Sequence, residues 1–209
     1  MGLKHRNIIV IHGTVISDIS SAQEGSVMVV NTDEEVRGMK RFQADHEIFV
    51  PGQHIAEASK TKRLDTIMIE GYVAPDRIII CKDFFNVSAA FEHQQVSFLR
   101  NKNHLTLYGV VSSRVKPVRS GFMFYVTTET EVKTEHDIFA NESMAQSVLT
   151  TRENDYVLIE GHYSKDNRVI VSNFNNISLA FKFPADRSPV ATLSQDRGGH
   201  YLCAEGRKP

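Results

Sequence analysis

The chain has 209 residues, and its 24 Lys and Arg against 25 Asp and Glu give a formal net charge of -1 at pH 7. This balance excludes a uniform positive field, so any binding of nucleic acid must rely on local basic clusters. The sequence has no apolar run long enough for a membrane span, a polar start "MGLKHRN", and two distant cysteines. These features predict a cytoplasmic protein without a disulfide framework, a zinc site or a membrane partner.

Alternating, β-branched segments bounded by turn residues predict five strands in the first half of the chain, at 7–16, 26–31, 45–50, 66–74 and 77–88. The same pattern predicts five strands in the second half, at 104–112, 122–130, 135–139, 156–163 and 168–179. Between the third and fourth strand of each set, "PGQHIAEASKTKR" and "NESMAQSVLTTREN" predict a short helix. Residues 182–209 lose the alternation and gain Pro, Gly and Ser, which predicts a flexible C-terminal tail.

The two sets of strands are copies of one another. "DTIMIEGYVAPDRIIICKDFFNVSAAF" and "DYVLIEGHYSKDNRVIVSNFNNISLAF" align at an offset of 90 residues, whereas Gly13 and Gly109 align at an offset of 96. The first copy is therefore six residues longer, between Gly25 and His46. Such a repeat predicts two like units. Five strands with a helix between the third and fourth indicate an all-β chain of two tandem OB-fold barrels. The predicted domains are 1–96, 97–181 and the tail 182–209.

Several segments resemble the bacterial single-stranded DNA-binding protein family. In the second copy they are "NHLTLYGVV", "TEHDIF" and "SMAQSVLTTRENDYVLIEGHY"; in the first they are "NIIVIHGTV" and "DHEIFVPGQHIAEASKTKRLDTIMIEGYV". The resemblance implies OB-folds that bind single-stranded DNA without strong sequence preference and act in groups of four. A chain that carries two OB-folds would then form a homodimer.

The chain departs from this family where its members carry stacking aromatics. The family usually has Trp just before the histidine of the third strand, where this chain has Asp45 and Glu135, and the chain contains no Trp. A second family aromatic aligns with Pro51 and Asn141, and the family's acidic, hydrophobic C-terminal tip is replaced by "AEGRKP". Base stacking therefore requires other aromatic residues in this chain.

Strand alternation suggests a candidate aromatic surface in the second copy. We expect Met123 and Tyr125 to face the core, because they align with two valines of the first copy, and this places Tyr108, Phe122 and Phe124 on the outer face. Exposed aromatics can stack on bases. They can equally form a subunit or inter-domain interface, which uses the same residue types, and the sequence leaves both interpretations open.

Two loops carry basic residues at positions where OB-folds contact nucleic acid. The long hairpin of the first copy has Arg37, Lys40 and Arg41 beside Phe42, and the loop after the first strand of the second copy has Arg114, Lys116 and Arg119. We expect both loops to contact phosphates. A third basic group, at 60–63, lies at the end of a predicted helix and is interpreted as a solvated surface.

No set of residues predicts catalysis. His12 and Gly13 are matched by Tyr and Gly in the second copy, so Gly13 is interpreted as a strand glycine that permits barrel curvature. His46 and His136 have acidic neighbours but no third ligand at metal-binding spacing, which favours a structural hydrogen bond on the third strand. We predict no enzyme, no metal and no cofactor.

The leading hypothesis is a single-stranded DNA-binding protein that coats or holds unpaired strands in replication, recombination or DNA transfer. Single-stranded RNA remains a possible ligand, and replication proteins are candidate partners. The alternative is a protein-interaction module in a replication or primosome-like assembly, with the outer aromatics buried against a partner protein.

Overall fold

The computed structural model describes residues 4–34, 41–91 and 101–181 of the chain. The predicted domain boundary at residues 96 and 97, the predicted tail 182–209, and the candidate residues Arg37 and Lys40 lie outside the described residues.

Each copy of the repeat forms six strands and two short helices. The first copy comprises β1 Arg6–Val15, β2 Ser20–Ala22, β3 Gly25–Glu34, β4 Phe42–Pro51, α1 Ile55–Ala58, β5 Thr66–Val73, β6 Ile79–Asn86 and α2 Val87–Ala90. The second copy comprises β7 Lys102–Val111, β8 Lys116–Val118, β9 Gly121–Glu129, β10 Lys133–Asn141, α3 Ala145–Val148, β11 Tyr156–Tyr163, β12 Arg168–Asn176 and α4 Ile177–Phe181. A single 3-10 turn precedes α1 and another precedes α3. The short strands β2 and β8, which the sequence pattern missed, pair with β3 and β9.

Five strands of each copy close into a barrel. In the first copy the order is β1-β3-β4-β6-β5, and β5 returns to β1. The second copy repeats this order as β7-β9-β10-β12-β11. The β4–β6 and β10–β12 pairs are parallel and the other pairs in each barrel are antiparallel. This strand order, with a helix between the third and fourth strands, is that of the OB-fold, so the predicted fold class is confirmed.

The interior of each barrel is filled by the aliphatic side chains that strand alternation predicts. Ile9 and Ile11 on β1, and Leu105 and Leu107 on β7, are fully buried. These residues belong to one continuous hydrophobic core to which both copies contribute. Because successive side chains of a strand point to opposite faces, the residues between them lie on the outside of the barrel.

Gly13 and Gly109 mark the point where the first strand of each copy changes partner. A Cβ atom on Gly13 would lie 2.4 Å from the Asn31 carbonyl oxygen, and one on Gly109 would lie 2.4 Å from the Thr127 carbonyl oxygen. The edge of β1 that pairs with β7 up to His12 pairs with β3 directly after Gly13, while β1 stays paired with β5 through Thr14. The missing side chain lets these strands approach closely enough to close the barrel, so the interpretation of Gly13 as a curvature residue is supported.

The second strand of each barrel has the opposite orientation from the predicted one. Phe122 and Phe124 point into the barrel and are 9% and 2% exposed, whereas Tyr125 lies outside and is 38% exposed. Phe124 packs edge-on against Phe174, with ring centroids 5.9 Å apart. Both faces of this strand are apolar in sequence, so hydrophobic alternation could not fix its orientation; the fit of the larger rings inside the barrel does.

Repeated polar residues fix the turn before β5 and β11. An Asp65 carboxylate oxygen accepts hydrogen bonds from the Lys62 backbone N–H at 2.8 Å and from Asn86 Nδ2 at 2.8 Å. In the second copy, Asp155 accepts the corresponding hydrogen bonds from the Arg152 backbone N–H and from Asn176. These contacts explain why the Asp and Asn of the repeated motif recur at one spacing.

The two barrels are joined edge to edge. β1 pairs antiparallel with β7, from Arg6 opposite Tyr108 to His12 opposite Lys102, which produces one continuous twelve-stranded sheet. Each β-hairpin between the second and third barrel strands also touches the other barrel. Glu34 accepts a hydrogen bond from the Asn103 backbone N–H at 3.2 Å, and the Glu129 backbone N–H donates to His5 at 2.8 Å.

Candidate nucleic-acid interface

The predicted aromatic surface does not form as a set. Phe122 and Phe124 are inside the barrel. Tyr108 is on the outer face, as predicted, but it is only 9% exposed, because Tyr156 stacks on it at 5.9 Å and His5 packs edge-on at 6.1 Å. Tyr108 therefore stabilises the junction between the barrels, while Tyr156 remains 43% exposed beside it.

The outer face of β3 and β4 in the first barrel carries a row of acidic residues. Asp45 lies opposite Asn31, which donates a hydrogen bond to it at 2.6 Å, and Glu47 lies opposite Val29. The two carboxylates are exposed. Such a row disfavours close approach of a sugar-phosphate backbone and favours contact with bases or with a positively charged partner.

The corresponding face of the second barrel is also acidic but carries more aromatic surface. Glu135 lies opposite Thr127, and Asp137 lies opposite the exposed Tyr125. Further along the same strands, Phe139 lies opposite Met123, and both are half-buried. The aromatic side chains of this barrel are thus concentrated at the end of the face away from Glu135.

The predicted basic residues that the structure describes are all exposed. Lys116 lies on β8 beside Met123, and Arg119 is in the turn that follows. Arg114 reaches only a long ion pair of 3.9 Å with Glu153. Arg41 instead forms a 2.6 Å ion pair with Asp33. The β7–β9 connection therefore presents its positive charges more freely than the hairpin at Arg41.

Each barrel carries a short, mainly apolar strip on its outer side, across three neighbouring strands. In the second barrel, Phe139 on β10 lies beside Ile170 on β12, which lies beside His162 on β11. We call these three residues the second strip. His162 is only 9% exposed, and its Nδ1 atom donates a hydrogen bond to the Asn103 carbonyl oxygen at 2.7 Å. In the first barrel, the first strip consists of the repeat-equivalent residues Phe49, Ile80 and Tyr72.

The two strips end differently where each meets the other barrel. The Phe42 ring of the first barrel packs on His162, with centroids 5.5 Å apart. At the end of the first strip, Lys82 lies 5.3 Å from the centre of the Tyr72 ring and forms a 2.6 Å ion pair with Glu131 of the second barrel. An aromatic ring thus extends the second strip, and a charged pair closes the first.

Phe139 and Ile170 of the second strip line a groove between the two barrels, of about 390 Å³. We call it the interbarrel groove; its lining includes Phe42, Gln43, Phe139, Lys165, Arg168 and Ile170. Of these residues the sequence identified only Phe42 as a candidate. The available signal for Phe139 was its place in "EHDIF", three positions after a buried histidine and therefore on the opposite face of the strand.

His46 and His136 are buried and hydrogen-bonded, as predicted. Their Nε2 atoms lie 2.9 Å from the hydroxyl groups of Thr32 and Thr128, and His46 also lies 3.3 Å from Asn103 Nδ2. Burial lowers the pKa of each imidazole from 6.5 to about 4. Both rings are therefore neutral at physiological pH and act as part of the barrel framework.

Within the part of the chain that the structure describes, no group of three or more His, Cys, Asp and Glu residues could hold a metal ion. The described helices are all too short to cross a membrane.

Two solved structures of the single-stranded DNA-binding protein from Thermus aquaticus share this arrangement. A deletion mutant aligns with a TM-score of 0.68 at 12% identity, over 88% of this chain and 99% of that chain. The chain has the fold of this protein. The wild-type structure gives a TM-score of 0.66 at 11% identity, over 90% of this chain and 97% of that chain. No protein-family model and no curated protein sequence matches the chain. The predicted resemblance to single-stranded DNA-binding proteins is thus confirmed in structure, at low sequence identity.

Proposed function

We propose that this chain binds single-stranded DNA without strong sequence preference and coats or holds unpaired strands during replication, recombination or DNA transfer. The observation that carries the proposal is the pair of closed OB-fold barrels joined through β1 and β7. The two barrels together align with nearly all of the chain in both structures of the Thermus aquaticus single-stranded DNA-binding protein. OB-folds bind single strands through a groove flanked by loops.

The charges and apolar strips support this proposal. The exposed Arg114, Lys116 and Arg119 on the β7–β9 connection offer phosphate contacts, and the two outer strips offer surfaces on which bases can stack. The acidic residues on the outer faces of β4 and β10 repel the sugar-phosphate backbone of DNA. We therefore expect the phosphate contacts to lie in the loops. Sequence preference is expected to be weak, because stacking accepts every base.

The test is the fluorescence anisotropy of labelled oligo-dT, single-stranded RNA and duplex DNA, titrated with the protein at several salt concentrations. We expect binding to single strands that weakens steeply with salt. Lys116→Ala should flatten the logarithmic salt slope by about 0.7, the value for one lost phosphate contact. Arg41→Ala is the matched control and should change the slope less, because Asp33 already neutralises Arg41. Absence of single-strand binding at low salt contradicts the proposal.

The protein is further proposed to act as a homodimer with four OB-folds. The outer face of the sheet formed by β6, β5, β1, β7, β11 and β12 exposes Ile8, Met68 and Phe85, which are 37%, 40% and 47% exposed. Apolar surface of this kind is typical of subunit contacts. Sedimentation should give a dimer for the parent and a shift toward monomer for Phe85→Glu. A monomeric parent at micromolar concentration contradicts this assembly.

A second candidate function is a protein-interaction module in a replication or primosome-like assembly. The acidic outer faces favour it, because the exposed Asp45, Glu47 and Glu135 would attract a basic partner protein. Phe122 and Phe124, which were expected to form its contact surface, are inside the second barrel and cannot do so. A folded protein that binds no single-stranded nucleic acid would favour this alternative. The cytoplasm is the proposed location for either function, with residues 1–96 and 97–181 as the two domains.

A further inference from the structure

The geometry points to the interbarrel groove as the main place where bases of the bound strand stack, on a floor that both barrels build. This inference rests on the proposed binding of single-stranded DNA and assigns its base contacts to particular residues. Phe139 and Ile170 of the second barrel and Phe42 of the first barrel form the floor. His162 is only 9% exposed and supports the floor through its ring contact with Phe42.

The dimensions of this floor suit stacked bases. Neighbouring strands lie about 4.8 Å apart, so the second strip spans roughly 10 Å from β10 to β11. Phe42 adds a ring whose centroid is 5.5 Å from that of His162. The rings of Phe139 and Phe42 line this groove together with Ile170, and the groove volume of about 390 Å³ falls in the common range for ligand sites. Flat, apolar ligands such as nucleobases fit a surface of this kind.

The charges at the rim favour bases over phosphates as the main contact. Lys165 is exposed in the turn between β11 and β12 and makes no ion pair within the described residues. The Arg168 Nε atom donates to Asp137 at 3.1 Å, and the Arg168 side chain is still 44% exposed. Asp166, in the same turn as Lys165, offsets part of the positive charge. The rim can therefore hold a passing phosphate, while most of the contact is apolar.

The first strip has no counterpart of the Phe42 ring or of the charged rim formed by Lys165 and Arg168. The repeat-equivalent of Phe42 is Val132, and Pro75 and Ile78 stand where the second barrel has Lys165 and Arg168. Tyr72, at the end of the first strip, is partly covered by the ammonium group of Lys82. We therefore expect bases to be held more strongly on the second barrel than on the first.

The decisive experiment compares two repeat-equivalent substitutions, Phe139→Ala and Phe49→Ala, by titration of labelled oligo-dT. Both rings are half-buried on the outer face, so they are matched in size and setting. We expect Phe139→Ala to weaken binding by roughly 5- to 150-fold with an unchanged salt slope, and Phe42→Ala to act in the same direction. Phe49→Ala should weaken binding much less. Equal losses for Phe49→Ala and Phe139→Ala overturn the assignment.

A second measurement does not depend on the variants being folded. Oligo-dT containing 5-iodouracil is crosslinked by light to the unmodified protein, and the attachment sites are read by mass spectrometry. We expect crosslinks at Phe42 or Phe139, the two aromatic residues that line the groove. Crosslinks confined to other surfaces overturn the groove assignment and leave the proposed function standing. Failure of the parent protein to bind oligo-dT at low salt overturns the proposed function itself.

Discussion

The first and second barrels have almost the same interior and different outer surfaces. Gly13 matches Gly109, and His46 matches His136, each in the same structural role. Outside, the second strip ends against Phe42, whereas the first ends at the Lys82–Glu131 ion pair. Residues that close the barrel are therefore the same in both copies, because the barrel geometry requires them. Residues on the outer surface have no such requirement and differ between the two copies.

The largest expected change in the free energy of unfolding comes from removing an aromatic residue inside the second barrel, compared with one on its outer face. Phe124 is 2% exposed and packs on Phe174, so Phe124→Ala should lower the free energy of unfolding by about 3–5 kcal/mol. Phe139→Ala, on the outer face, should cost well under half of that. Urea unfolding followed by circular dichroism measures both. If Phe139→Ala costs as much as Phe124→Ala, the assignment of the two faces is wrong.

The next effect tests whether the buried histidines are equivalent. The pKa of each is about 4 in the folded protein and near 6.5 in the unfolded chain, so only the unfolded chain takes up protons between these values. The stabilising contribution is complete above pH 6.5 and is lost as the pH falls toward 4, by about 3 kcal/mol for each histidine. His136→Gln should remove about half of this pH dependence, and so should His46→Gln. An unchanged dependence of stability on pH in either variant contradicts the burial of that ring as a neutral group.

A smaller effect tests the equivalence of the two curvature glycines. Gly13→Ala and Gly109→Ala each place a methyl group 2.4 Å from a backbone carbonyl oxygen, which the strand must move to accommodate. We expect each to lower the free energy of unfolding by about 1–3 kcal/mol, the usual cost of overpacking. Thermal unfolding of both variants measures this, with Gly52→Ala as a control, because a Cβ atom at this exposed glycine would meet nothing closer than 3.4 Å. Tolerance of one alanine but not the other would show that the barrels close differently.

The smallest expected effect comes from the Lys82–Glu131 ion pair at the end of the first strip. Lys82 and Glu131 are both about half exposed, so Glu131→Gln should change the free energy of unfolding by no more than about 1 kcal/mol. The same substitution frees Lys82 and should slightly strengthen single-strand binding near the first strip. Titration of oligo-dT at low salt measures this second effect. Weaker binding in Glu131→Gln would contradict the view that the ion pair keeps Lys82 from contacting the bound strand.

Local pattern and internal repetition were enough to predict the fold. The repeated Asp65 and Asp155, and the glycines at positions 13 and 109, recur because each forms an obligatory contact within one copy. The orientation of β9 was not predictable by the same means. Phe122 to Tyr125 are apolar on both faces, so the choice depended on the volume available inside the closed barrel.

The interbarrel groove was less predictable still, because its parts are distant in sequence. Phe139 meets Ile170 through the parallel pairing of β10 with β12, and a parallel partner cannot be identified from local alternation. Phe42 meets His162 only because the hairpin of one barrel reaches the other. The basic loop at Arg114, Lys116 and Arg119 was easier to find, since exposed charge in a turn requires no knowledge of partners.

The antiparallel seam between β1 and β7 also decides how the molecule could be divided. Separated from its neighbour, each copy would expose a row of unpaired backbone groups, along Arg6 to His12 in one and Lys102 to Tyr108 in the other. These rows are complementary, so two halves made as separate chains would have a specific edge through which to reassemble. In the intact chain, a covalent connection keeps one of these edges at a high effective concentration near the other.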